Sequence, residues 1–340
     1  MEVVGVYQGQ KVVRYVLQTA TGYQLVVLNY GATIVKFLTP DKDGKFKNII
    51  VASEDVAEYF DNAPKWGAAI GPVAGRIAGG KVTIDGKDYQ LEQNLLGHHL
   101  HSGSIGFSET VFKVSDLQEN SITFYSEKAD RIGNYPGNLK TWISYTLSDT
   151  GALTIDYKIT TDKATIVNPT NHSYFNLTGD FRTTILDHKL QLATKALAAI
   201  DQTGVPTGEL VKDSAALELI RRGIKISELF QEEPFKTAGG IDHPFVLNDT
   251  ATIKVVLSEA TTGRTLSVTT TSPAMVIYTS NGYDNKTSLN AEKPIVHNGI
   301  ALETQILPDA IHHEGFGDII LAAGKTFRSQ TIYQAGLLQE

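Results

Sequence analysis

Hydrophobic and polar positions alternate with a period of two along much of the chain. Runs rich in Val, Ile, Thr and Tyr recur at short intervals: VVRYVL (12–17), YQLVVLNY (23–30), ATIVKFL (32–38), ITFYSE (122–127), TWISYTL (141–147), ALTIDYKIT (152–160), IKVVL (253–257) and TLSVTTT (265–271). That period and those residue types predict strands. In KVTIDGKDYQL (81–91) two alternating segments flank Asp85-Gly86, a pair that tolerates positive φ and suits a two-residue hairpin turn. Helical periodicity is sparse. SEDVAEYF (53–60) opens with a Ser cap and an acidic first turn, and ISELFQ (226–231) reads similarly, yet neither alternates regularly with strands, which disfavours a doubly wound nucleotide fold. With no internal repeat, low-complexity tract or Pro/Ser-rich linker, residues 1–340 are expected to form a single all-β domain, a sandwich or a barrel.

Composition narrows the chemistry. A hydrophobic content of 41% fills a substantial core, and a formal net charge of -7 argues against nucleic acid or an anionic membrane as partner. The absence of cysteine removes thiol nucleophiles, disulfides and Cys-ligated zinc, so catalysis must use oxygen and nitrogen groups. The first residues, MEVVGVYQGQKVVRYVLQ, alternate like a strand and do not read as a targeting segment, and no apolar stretch approaches bilayer length. A cytoplasmic location is expected, and the N-x-S/T sequons at Asn171, Asn176 and Asn285 carry no weight in that setting.

Three clusters could carry chemistry. In QNLLGHHLHSG (93–103), His99 and His101 stand two apart and would share one face of a strand, a spacing that could hold a metal; Glu109 lies too far downstream to complete a cupin-type set. His98 and His99 read better as surface loop residues. In IVNPTNHSYFNLTG (166–179), His172, Tyr174, Phe175 and Asn176 combine aromatic faces, which cover sugar C–H groups, with donors that reach hydroxyls; a capped turn around a satisfied histidine fits equally well. In HNGIALETQILPDA (297–310), Glu303 lies in an apolar run with Gln305 on the same face. Partial desolvation would raise its pKa toward that of a general base, though a structural ion pair is nearly as good a reading. Two further residues suit binding. Small neighbours in IGPVAGRIAGGK (70–81) would let Arg76 reach two hydroxyls, and Asp242 in GGIDHPFVLN (239–248) could accept from others; alone, each run is more often a tight loop or a turn.

Taken in chain order, GPVAGRIAGGKVTIDGKDYQLEQN, LHSG, NPTNHSYFNL, GIDHPF, VIYTSN, ETQILPDA and TIYQ (331–334) resemble the aldose 1-epimerases, the galactose mutarotase family, over nearly the whole chain. The resemblance implies a large antiparallel β-sandwich with few short helices and a cleft along one sheet. It implies Glu303 as base, His172 as acid, His101 as a second active-site histidine, Arg76 and Asp242 as sugar ligands and Tyr174 and Tyr278 as walls. It further implies no metal or organic cofactor and, as partner, a small-molecule monosaccharide such as galactose or glucose, on a monomer or homodimer. A phosphorylated sugar is not expected, because Arg76 is the one basic group placed at the cleft. Departures from the family pattern are Ser102, where LHGG is common, and Gly71-Pro72 and Gly75-Arg76, where GR and NR are frequent; the missing asparagine at Gly75 leaves one of the sugar contacts implied by the resemblance open. Two rivals remain: a non-catalytic carbohydrate-binding protein of the same fold, and a metal-dependent β-barrel enzyme built on His99 and His101.

Overall fold

The structure, a computed structural model, describes residues 1–60, 64–284 and 286–339. Within them the chain folds as an antiparallel β-sandwich with few short helices: the alternation predicted the strands, and the sandwich is the architecture the family resemblance implied. The first sheet is a meander in which Glu2–Tyr7, Gln10–Gln18, Gln24–Leu28, Ile34–Pro40 and Phe46–Asn48 each pair with the next strand. The largest, nine-stranded sheet is built around Leu139–Leu147, Ala152–Thr161 and the long strand Thr326–Leu337. A six-stranded sheet runs in the order Tyr174–Phe175, Ile300–Gln305, Ala274–Tyr278, Asp242–Leu247, Thr194–Ile200 and Pro206–Val211. Period two decides which face is dry: on Leu139–Leu147 the residues Leu139, Thr141, Ile143, Tyr145 and Leu147 are buried, while those between them are partly or fully exposed. On the wet face Lys158 Nζ lies 4.4 Å from the centre of the Trp142 ring.

Buried tyrosines on the dry face of the nine-stranded sheet reach across the core. Tyr157 donates to Thr170 O at 2.6 Å and Tyr333 to Leu302 O at 2.9 Å. Each satisfies its own hydroxyl in an otherwise apolar layer and ties a segment of the six-stranded side to the opposite sheet. Leu302 belongs to the core; its neighbour Glu303, by alternation, faces the other way.

The hairpin at 81–91 forms as expected, with Lys81–Ile84 against Lys87–Gln90 and φ of 51° at Asp85 and 71° at Gly86. The 53–60 segment differs. It makes a single 3-10 turn, Val56–Tyr59, capped by Asp55 accepting from Ala57 N at 2.9 Å, so Ser53 is not the cap. The reason is closure of the segment on itself: the Tyr59 hydroxyl accepts from Ser53 N and donates to Ser53 O, which leaves room for one turn. ISELFQ yields a four-residue helix, Ile226–Leu229. A longer one, Ala215–Arg222, was not foreseen; Ser214 caps it, and Ala216, Leu217 and Ile220 form its buried face. Asn171 and Asn176 are buried, which makes both poor glycan acceptors, and Asn285 lies outside the described residues. Among the described residues no helix is long and apolar enough to cross a membrane.

Candidate active site

Register across the six-stranded sheet arranges the site. Tyr174 pairs with Ala301, Ala301 with Tyr278, and Tyr278 with Asp242, so these four form one row. Two residues along, Glu303, Val276 and Pro244 form the next row on the same face. Small Ala301 leaves room for Tyr174 and Tyr278 to approach edge to face, with ring centroids 6.0 Å apart. The Tyr174 hydroxyl donates to Pro64 O at 2.8 Å and that of Tyr278 to Gly282 O at 3.3 Å, so both offer their rings to the cleft.

His172 enters this array just ahead of Tyr174. The preceding Thr170–Asn171 pairs with Ala69–Ile70, and His172 N donates to Ala68 O at 2.9 Å, which fixes the backbone. Its Nε2 stands 3.4 Å from Glu303 Oε1, with both side chains buried. Glu303 Oε2 and His172 Nδ1 make no hydrogen bond to another described residue. Burial pushes Glu303 up to about 8, aided by the Asp242 charge and opposed by Arg76. Burial also pushes His172 down to about 4, with Lys65 acting in the same direction. Between those values the pair holds one proton, and burial favours the arrangement in which both side chains are uncharged, Glu303 protonated and His172 neutral.

His101 follows the two-residue strand His99–Leu100 and turns out of it with φ of 52°. Its amide donates to Gly75 O at 3.1 Å, while its Nδ1 accepts from Gly75 N at 3.2 Å, which leaves the ring proton on Nε2. Burial, together with the charges of His172 and Arg76, holds its pKa far below the usual histidine range, so it is a neutral donor. Its ring lies 5.3 Å from that of His172, nearly perpendicular. Arg76 Nη2 lies 3.6 Å from Asp242 Oδ2, and its buried Nε has no hydrogen-bond partner among the described residues. Asp309 clamps that strand from behind: its amide donates to Arg76 O at 3.0 Å and its carboxylate accepts from Ala78 N at 3.0 Å. Asp242 sits on a strand, not in a turn. Burial raises its pKa and Arg76 opposes, while water reaching the third of the side chain that stays exposed tempers the rise.

All seven residues singled out from the sequence, Glu303, His172, His101, Arg76, Asp242, Tyr174 and Tyr278, line one cleft of about 270 Å³. Sequence reasoning missed Lys65, Leu100, Val276, Tyr283, Asp284 and Thr287, which line it too. Lys65 corrects the expectation of one basic group at the cleft; its charge is met by Glu109 Oε1 at 2.5 Å, and Glu109 also accepts from the Tyr30 hydroxyl. His99 is not a surface residue: it is buried, with Nδ1 2.6 Å from Glu92 O and Nε2 2.7 Å from the Tyr135 hydroxyl. Both nitrogens are engaged, which removes the metal site built on His99 and His101. His98 is half-buried and accepts from Gly79 N at 3.1 Å. A different set, His101, His172 and Glu303, has ligand atoms within 4.8 Å of one another and could surround a cation. The bond from Gly75 places a proton on the His101 nitrogen such a cation would need, so the set suits proton transfer better.

Two of the three departures, Ser102 and Gly75, have physical causes. Ser102, at φ 66°, accepts from Val73 N at 2.8 Å and donates to Val73 O at 2.9 Å, bonds a glycine could not make. Gly75 has φ of 73°, and a Cβ there would stand 2.8 Å from Pro308 Cβ, so a side chain is excluded while Pro308 holds its place.

The family model for aldose 1-epimerase matches residues 13–334. A galactose mutarotase of Rattus norvegicus is 33% identical over 311 residues, covering 91% of this chain and 90% of its own. A maltose epimerase of Levilactobacillus brevis is 34% identical over 343 residues, 97% and 96% of the two chains. Among solved structures, a galactose 1-epimerase from Lactobacillus acidophilus superimposes with a TM-score of 0.88 at 26% identity over 99% of this chain and 98% of its own.

Proposed function

The chain belongs to the aldose 1-epimerase family, and from that premise we propose how its residues interconvert the α and β anomers of a neutral aldose such as galactose or glucose. With the pair's one proton passed from Glu303 to His172 across their 3.4 Å contact, Glu303 takes the proton of the C1 hydroxyl while His172 gives its own to the ring oxygen. The ring opens, the C1–C2 bond rotates, and closure on the other face returns both protons. Anomerisation leaves the proton count unchanged, so the pair starts and ends each turnover in its one-proton state. Each member contributes roughly 10²- to 10⁴-fold. His101 Nε2–H donates to the ring oxygen or to the opened aldehyde oxygen. Arg76 and Asp242 hold hydroxyls further round the ring, with Tyr174 and Tyr278 as walls. No metal or organic cofactor takes part.

The observation that carries this reading is geometric: a buried carboxylate and a buried imidazole 3.4 Å apart, both lining the same cleft. Both cations at the cleft face a carboxylate, Lys65 with Glu109 and Arg76 with Asp242, which supports an uncharged substrate. The chain acts as one domain, as a monomer or homodimer; its acidic charge and lack of cysteine suit the cytoplasm. Polarimetry on freshly dissolved α-galactose or α-glucose tests the assignment: Glu303→Gln should lose at least about 100-fold in kcat/KM. A folded variant that keeps the wild-type rate removes Glu303 as the base. A wild-type protein that binds sugar without speeding mutarotation is a carbohydrate-binding protein instead.

A further inference from the structure

The two sides of Glu303 differ. On one side His172 stands at 3.4 Å. On the other, one strand further across the sheet, Val276 pairs directly opposite Glu303 and lines the same cleft. Directly opposed residues of an antiparallel pair have Cβ atoms about 4.5–5.5 Å apart, so the valine methyls border the carboxylate.

C1 of a pyranose has two ring neighbours, O5 and C2. With C1 over Glu303 and O5 held at His172, C2 falls on the far side of C1, over Val276. Of the polar cleft residues beyond, among the described residues, Asp242 stands in the next row and one strand further across, paired with Arg76, and the Tyr278 hydroxyl is taken by Gly282 O.

We propose that Val276 leaves the cleft without a polar partner at C2, so that the enzyme processes 2-deoxy aldoses as well as their parent sugars. The inference rests on the acid–base reading above. A site built around a hydrogen bond to a substrate hydroxyl rejects the analogue lacking it by roughly 10⁴-fold, because its own polar group is stranded; a valine strands nothing. The 2-hydroxyl of the parent sugar gains no bond here and gives up water against the methyls.

The test compares the catalysed mutarotation of galactose and 2-deoxygalactose, each divided by its own spontaneous rate, because removing the electron-withdrawing hydroxyl speeds unassisted opening. The expected result is a kcat/KM for the deoxy sugar within about threefold of that for galactose, or above it. A deficit of tenfold or more overturns the proposal. Val276→Gln, which brings a carboxamide to this position, should shift the ratio toward galactose by about tenfold, and the near-isosteric Val276→Thr should shift it the same way should the larger residue prevent folding. An unchanged ratio in a folded variant also overturns it. Acceleration of neither sugar by the wild-type enzyme fails the epimerase reading itself, a result distinct from acceleration of galactose alone.

Discussion

Glu303 and His172 are each held in a place where burial disfavours the charged form, and that cost shows in two measurable ways. The first is the pH profile. Below about 4 His172 takes up a second proton and the pair lacks a base; above about 8 Glu303 loses the last one and the pair lacks an acid. The plot of kcat/KM against pH should therefore be a plateau with limbs near those values. Activity that keeps rising beyond pH 9 would contradict the shared-proton pair. The second is stability. Glu303 is raised in the folded chain, to about 8 from an ordinary 4.5, so folding is unpenalised below about 4.5 and loses stability as pH climbs to about 8. Glu303→Gln removes that loss. The variant should match wild type in thermal unfolding near pH 4 and exceed it increasingly toward pH 8, by an amount on the order of a few kcal/mol. At this scale local chemistry marked Glu303 in its apolar run and His172 among turn formers as candidates no better than their structural readings, and it was the resemblance of the ordered motifs that gave roles to them and to His101, Arg76, Asp242, Tyr174 and Tyr278. Val276 and Lys65 broke no local pattern. A valine in a strand reads as core, and a lysine before Trp66 reads as surface.

At the scale of elements, the strands and the 81–91 hairpin could be read from alternation and turn chemistry, but their spatial order could not. The site depends on that order: Asp242, Tyr278, Ala301 and Tyr174 come from four segments of the chain and meet only because their strands pair in one register. The helix Ala215–Arg222 carried a readable signal, Ser214 before it, Gly223 after it and buried positions spaced by three between Leu217 and Ile220, yet its strand-rich surroundings masked it. The buried His99 was hidden for another reason: its partners are a backbone carbonyl and Tyr135, which is distant in sequence. The tyrosine reaching from the last long strand to Leu302 gives a direct test of how elements support one another. Tyr333→Phe leaves the Leu302 carbonyl without that donor and should lower stability by about 1–2 kcal/mol in urea unfolding, with a smaller effect on kcat than any change at Glu303. A loss of activity as large as that of Glu303→Gln, at unchanged stability, would mean Tyr333 acts on the base itself.

Across the whole molecule, the nine-stranded sheet backs the six-stranded one, and the cleft opens on the face turned away from their shared core. The tyrosines that span the core bind Thr170 and Leu302, two residues before His172 and next to Glu303. A strand moored in this way cannot loosen alone. The amide protons of Ile300–Gln305 should exchange with heavy water only when the entire sandwich opens, at the rate set by global unfolding, while those of Tyr283 and Thr287 on the cleft wall exchange sooner. Hydrogen-exchange mass spectrometry would show sugar slowing the wall and leaving the floor almost as it was; early exchange across the floor would refute the mooring. The floor of the cleft would then serve as a clock for the protein's own lifetime, ticking only when the fold as a whole comes apart.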